Sequence, residues 1–328
     1  MTTATPTVRL NRSVRLGHDL TTARTVEDAL DMAGLNWGIT IRDAKDFTVN
    51  MVTDDGVTSI PTSAPGVRFV MRDDNDVTLG AVGSRYTAVD NASVFGLGRH
   101  FLESGASFTE GGELDHGRQV FMRMALPGTS VRLLDGKDLI SGGILFKGCH
   151  DGSGKVSASL EMTRLVCLNG MVATIPGLAY DFKIAHTASA EKRLAEAHTV
   201  LNGAARYAKA FAAAAQHMLD TPMTAREFGR FIDGMWPKPE VQDGDSTRAT
   251  TIWENRRAAL MDLFRFAETN DLGRGTRMAA YNAVTEYVDW GSPVRSASDE
   301  PEARVRAVRR FERAGQESKD AAFALLTA

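Results

Sequence analysis

The stretch from Leu139 to Gly170 constrains the fold more than any other. Ile140, Ile144 and Phe146 recur on a two-residue period, and after a polar, glycine-rich interval Val156, Ala158, Leu160 and Met162 alternate with Ser157, Ser159, Glu161 and Thr163. Successive side chains of a strand point to opposite faces, so this pattern predicts a long antiparallel hairpin with the apolar set inward and the second set outward. The interval Gly148-Cys149-His150-Asp151-Gly152-Ser153-Gly154-Lys155 is its turn. Glycines there permit positive φ, and the Asp and Ser can bond their own backbone.

The turn carries suggestive side chains, but their spacing argues against three chemistries. Gly154-Lys155 ends a glycine-rich run as phosphate-binding loops do, yet the required earlier glycine falls at Cys149 and Val156 stands where Ser or Thr belongs. A strand follows instead of a helix whose amide end could hold an anion. Cys149 and His150 are neighbours on a strand and face apart, which separates a nucleophile from its base. Cys149, His150 and Cys167 supply too few ligands at unsuitable spacing for a closed zinc site. The expectation is two free thiols, no metal and no cofactor.

Upstream, residues 1–20 read as a flexible arm bearing Arg9, Arg12 and Arg15. A short helix, Val26 to Ala33, is capped by Thr25 and ended by Gly34. Leu35, Trp37, Ile39 and Ile41 alternate as a strand, and Thr48 to Thr62 reads as a strand and a loop broken at Pro61. Residues 67–71 and 78–82 form a hairpin turned at Asp73-Asp74-Asn75-Asp76, an acidic turn without the glycine and distant glutamate of a calcium loop. A helix follows from Ala92 to Glu103, capped by Asp90 or Asn91, and Phe108, a turn at Gly111-Gly112 and residues 119–124 make a further strand pair. This half, residues 21–186, is a hairpin-rich antiparallel sheet with a packed helix.

Beyond Gly170 the period changes to three and four. Helices are predicted over Ala190–Met218, Thr224–Met235, Ile252–Thr269, Thr276–Trp290 and Pro301–Ala314, with a polar, protease-sensitive link at Lys238–Thr247. Residues 187–328 are therefore a helical subdomain, and the fold class is α+β. The 328 residues suffice for a sizeable core. Two cysteines suit a reducing compartment, and no apolar run approaches a membrane span, so a cytoplasmic protein without a membrane partner is expected. A formal charge of −3 argues against coating nucleic acid by bulk electrostatics, though not against a local basic face.

Several motifs taken together carry a resemblance. Thr25-Val26-Glu27-Asp28-Ala29-Leu30 with Ala33-Gly34-Leu35-Asn36-Trp37, Gly83-Ser84-Arg85-Tyr86 with Asn91, His150-Asp151-Gly152-Ser153, Arg164-Leu165-Val166-Cys167-Leu168-Asn169 and the run from Tyr281 to Asp289 occur in order along nearly the whole chain. In this respect the sequence is similar to the phage/plasmid-like family, a domain of unknown function carried on mobile DNA. Gly170 departs from it, where such proteins often continue with threonine. The resemblance implies a phage or plasmid setting in a bacterial host cell and brings no established activity or catalytic residues.

That setting points to DNA metabolism, and hairpins with a helix laid across them resemble the core of Rad52-like single-strand annealing proteins, an analogy of fold alone. A single-stranded DNA groove would use Arg85, Tyr86, Arg123, Lys147, Lys155 and Arg164 for phosphates and base stacking, in a homo-oligomer that holds one strand along several protomers. The alternative is a non-enzymatic interaction protein acting on a host defence or replication factor, for which an acidic body with exposed hairpin tips is equally suited. An enzyme has less support, because no motif places a carboxylate pair or a Ser/His set.

Overall fold

The computed structural model describes residues 17–44, 47–54, 56–133, 138–154, 156–164, 169–171, 181–183, 190–240, 248–292 and 313–328. The chain has the expected α+β architecture. In order it runs β1 (His18–Asp19), α1 (Val26–Met32), β2 (Ile39–Asp43), β3 (Phe47–Thr53), β4 (Gly56–Thr62), β5 (Val67–Arg72), β6 (Thr78–Gly83), α2 (Asn91–Phe95), α3 (Gly98–Glu103), β7 (Ser107–Leu114) and β8 (Gln119–Ala125). There follow β9 (Val131–Leu133), β10 (Asp138–Cys149), β11 (Ser157–Arg164), β12 (Asn169–Met171), β13 (Asp181–Lys183), α4 (Ala190–Asp220), α5 (Ala225–Met235), α6 (Arg248–Phe266), α7 (Arg277–Glu286) and α8 (Arg313–Thr327).

The main sheet has the order β1-β7-β8-β10-β11-β12, with β9 added to β10 and β13 to β11. Its centre is the hairpin read first from the sequence. β10 and β11 pair antiparallel from Ile140↔Arg164 to Lys147↔Ser157. Ile140, Ile144, Phe146, Ala158, Leu160 and Met162 are all buried, as the alternation requires. Helices α2 and α3 pack on this face, and α1 packs on α2. Phe101 of α3 meets Phe146 edge-on at 5.6 Å, and the space beside Gly148 is filled by Val94 and Val120.

The helix read over residues 92–103 is two helices. Glycines at 96 and 98 flank Leu97 and weaken the helical run there, and on either side of the break Val94, Phe95 and Phe101 are fully buried. Two smaller sheets complete this half, β2-β5-β6 and the isolated pair β3-β4. The expected strand from Leu35 begins only at Ile39, the turn expected at Gly111-Gly112 falls at Asp115–Gly117 because both glycines pair within β7, and the segment read as strand and loop over 48–62 is a hairpin that accommodates Pro61 on an outer strand. Of the arm read over residues 1–20, residues 17–20 are tied down: His18 pairs with Gly111 and Leu20 is fully buried.

In the helical half, α4 lies against α3, β9, α7 and α8, and most of the buried apolar residues form one cluster from Leu20 to Leu326. The α5 cap is the predicted box, in which Thr224 and Glu227 satisfy each other's backbone amides. α7 stops at Glu286 and continues as a π turn over Tyr287–Gly291, where a single helix to Trp290 was expected. The last helix corrects the sequence reading. Residues 301–312 of the predicted helix lie outside the described ones, and α8 runs on to Thr327. Its buried stripe of Ala322, Phe323 and Leu326 includes Lys319, whose charge interrupts the apolar period. Of the predicted link, residues 241–247 also lie outside the description. No helix among the described residues is long and apolar enough to cross a membrane.

Candidate functional site at the junction of the two sheets

Three of the stretches singled out above converge where the β10–β11 turn meets the β2-β5-β6 sheet. Gly80 of β6 abuts the Asp151 backbone so closely that an added Cβ would sit 2.6 Å from its Cα, and a Cβ at Gly152, at φ +82°, would meet Val82. Close approach of two chain segments favours glycine at both positions, and at Gly152 the positive φ does so as well. His150, 1% exposed, points into this junction. Its backbone N–H donates to the Arg118 carbonyl at 2.8 Å, and its ring meets Trp37 edge-on at 5.3 Å.

The tautomer follows from Asn91. The Asn91 amide donates to the Leu35 and Trp37 carbonyls at 3.0 and 3.3 Å, so its Oδ1 faces His150 as an acceptor. The 2.8 Å contact is therefore donated by His150 Nε2–H. Burial pushes the imidazole pKa down to about 4, outweighing the opposing pull of Asp151 and Asp90. This histidine is neutral at pH 7 and ties the α2 start, the Trp37 loop and the hairpin turn together.

Arg72, at the end of β5, closes the other side of Trp37 at 4.2 Å from its ring centroid. Its guanidinium bonds Asp74 through two nitrogens at 2.9 and 2.8 Å and Glu113 at 2.7 Å, and donates to the His116 carbonyl at 3.4 Å. Hydrogen bonding to Asp74 raises its pKa. The turn it reaches has positive φ at Asp115, His116 and Gly117, and a left-handed backbone at two consecutive non-glycine residues is strained.

The six residues predicted to contact nucleic acid fall in different surroundings. Arg85 is exposed. Tyr86 is half-buried, and its hydroxyl pKa is raised by burial and then by Asp151 and Cys149, which puts it against the hairpin turn. Arg68, which no sequence motif marks, shapes this loop by donating to the Ser84 and Tyr86 carbonyls, both at 2.5 Å. Lys147 is half-buried on β10, near enough to Cys149 to act on its thiol, whose pKa is nonetheless raised by burial. That thiol is free, and neither a thiolate nor an imidazolium is favoured here. Lys155 lies outside the described residues, as do Cys167 and the side chain of Arg164.

Arg123 stands apart. On the face of the main sheet opposite the helices its Nη1 meets Glu110 at 2.6 Å, while Nε and Nη2 reach Glu161 at 2.9 and 3.4 Å. Strand β10 lies between Arg123 and Glu161. The span is open because Gly143, paired with both Ala125 and Glu161, has no side chain on that face. Glu161, read as outward in the alternation, is 5% exposed. Arg123 is thus engaged by two carboxylates.

A second buried charge group lies in the helical half. Lys319 Nζ of α8 meets Asp289 Oδ1 of the π turn at 2.6 Å, with both side chains 1% exposed or less. Nearby in sequence, Glu286 accepts from the Thr269 hydroxyl at 2.7 Å. This is the run from Tyr281 to Asp289, and there it joins the last helix to the bundle.

A protein-family model described as a domain of unknown function matches residues 78–309, well over half of the chain. The chain belongs to the DUF932 family. No curated protein and no solved structure matches it. The DUF932 span takes in Tyr86, Asn91, His150 and Asp289 and begins with β6, so Trp37, Arg72 and the β3–β4 hairpin precede it.

Proposed function

We propose that this DUF932 chain is a non-catalytic protein of DNA metabolism in a phage or plasmid setting, and that it binds single-stranded DNA at the rim of the sheet junction. The observation that carries the reading is the meeting of the exposed Arg85-Tyr86 loop with the β10–β11 turn. Arg85 supplies a phosphate contact, half-buried Tyr86 supplies a ring on which a base stacks, and Lys147 borders the same turn. The Arg68 clamp and the Gly80–Asp151 approach fix the loop before any ligand arrives, which lowers the ordering cost of binding.

Fluorescence anisotropy with a labelled single-stranded oligonucleotide at low and high salt tests this. Arg85→Ala should weaken binding and reduce the salt slope by about 0.7, the value of one single-strand phosphate contact. Tyr86→Ala should cost about 1–3 kcal/mol of binding. Absence of binding at low salt ends the reading. The second reading, an interaction protein acting on a host defence or replication factor, is favoured by one observation: Arg123, a central cation of the sheet, is held by Glu110 and Glu161.

A further inference from the structure

Among the described residues the β3–β4 hairpin is a sheet of two strands alone, and its register runs without a shift from Phe47↔Thr62 to Thr53↔Gly56. It has no extensive contact with any other described element. Val49, Met51 and Ile60 fall on one face, and Val52 pairs with Val57 near the tip. Val49, Met51, Val52, Val57 and Ile60 are between 40% and 82% exposed. A lone hairpin is marginal in water, and three or more strands are needed for independent stability.

The two edges of this arm differ. β4 carries Pro61, which removes a donor from its edge. β3 has no proline, no bulge and no charged residue, so it lacks the devices that keep natural edges from pairing. We propose that the β3 edge pairs antiparallel with the β3 edge of a second copy of this chain, about a two-fold axis through Asn50. This goes beyond the DNA reading and does not depend on it.

Three features favour a second copy. An antiparallel pair of identical strands is self-complementary, and it uses up the β3 edge of both molecules, so the assembly closes as a dimer. Val49 of each copy then lies across from Met51 of the other, an apolar pair repeated by the axis. Charge also permits it, because the strand from Phe47 to Thr53 carries none that would repel its own copy. Beyond its two ends the sequence continues with Asp46 and Asp54, and these like charges oppose any longer ladder. One seven-residue edge buries less than the about 800 Å² per partner of a standard interface, so the dimer is weak and concentration-dependent.

Sedimentation velocity over about 1–300 µM provides the test, spanning the affinities expected of a small interface. Wild-type protein should shift from monomer to dimer. Asn50 is exposed and lies on the axis, so Asn50→Lys and Asn50→Asp should each be monomeric, because either charge faces its own copy. An equimolar mixture of the two variants should restore the dimer. Ser59→Lys, on β4, should dimerise like wild type, and all variants should keep the wild-type melting temperature. A wild-type monomer throughout the range, dimers unaffected by either Asn50 charge, or a mixture that stays monomeric would each overturn the proposal.

Discussion

The β10–β11 and β3–β4 hairpins both place apolar side chains two residues apart on one face, Ile144 and Phe146 in the first and Val49 and Met51 in the second, and meet opposite surroundings. In the first, α2 and α3 pack on the apolar face, and the backbones pack so tightly that a Cβ on Gly143 would lie 2.6 Å from the Met124 carbonyl oxygen. Its opposite face holds an arginine between two glutamates. In the second, the apolar side chains of Val49, Met51 and Ile60 are exposed, and nothing stands within 4 Å of where a Cβ on Gly56 would sit. A period of two says which side chains share a face. What covers that face is decided by elements far away in the chain. The comparison separates a hairpin that stabilises the molecule from one whose apolar side chains are left for another use.

The largest effect of a single substitution belongs to the covered hairpin. Arg123→Ala leaves Glu110 and Glu161 without their shared cation in a site where the three side chains are 6–17% exposed. The expected loss is about 3–5 kcal/mol in urea denaturation, and it should be partly recovered when Glu161→Gln is added. A loss under about 1 kcal/mol would place the triad in water and erase the distinction between the hairpins.

The turn of the same hairpin makes stability pH-dependent. His150 titrates near 4 in the folded protein and near 6.5 when unfolded, so between these values the unfolded chain binds the extra proton. The stabilisation is complete above about pH 6.5 and is lost as pH falls toward 4, by on the order of 3 kcal/mol in total. Asp151, Asp90 and Arg72 act on the ring from three elements, with the carboxylates opposing the shift. Urea midpoints at pH 7, 5.5 and 4 should fall more steeply for the wild type than for His150→Gln.

How much of this is legible in the sequence depends on whether the signal is local. The β10–β11 alternation, the Thr224–Glu227 box and the long alanine-rich α4 are written within a few turns or strand repeats, and they form as expected. Glu161 reads as outward from its position in the alternation, and the register across Gly143 brings Arg123 to it. His150 is visible as a residue type, but its neutral state needs Asn91 and Trp37, which lie far off in sequence. Arg72 and Arg68 carry no local signal at all. α8 escapes the apolar period because Lys319 sits in its buried stripe, where its charge meets that of Asp289.

A smaller effect probes the packing itself. Gly143→Ala adds one methyl group against the backbone of β8, which cannot yield as a flexible side chain would. About 1–3 kcal/mol of destabilisation is expected in thermal or urea unfolding. Gly56, by contrast, owes its identity to φ +124° and not to any neighbour.

The smallest effect should come from the arm. Val52 and Val57 are 82% and 65% exposed and face each other across β3 and β4. Replacing both by serine removes a cross-strand pair worth roughly 0.2–1 kcal/mol to the hairpin. Neither valine belongs to the buried cluster that unfolds with the rest of the molecule, so the arm can open locally without opening the core. The global urea midpoint of the double variant should therefore match wild type to within about 0.5 kcal/mol. Amide hydrogen exchange in β3 and β4 should meanwhile quicken, with exchange in β10 and β11 unchanged. Loss of global stability above about 1 kcal/mol would mean that the arm is packed as the other hairpin is, and the contrast between them would fail.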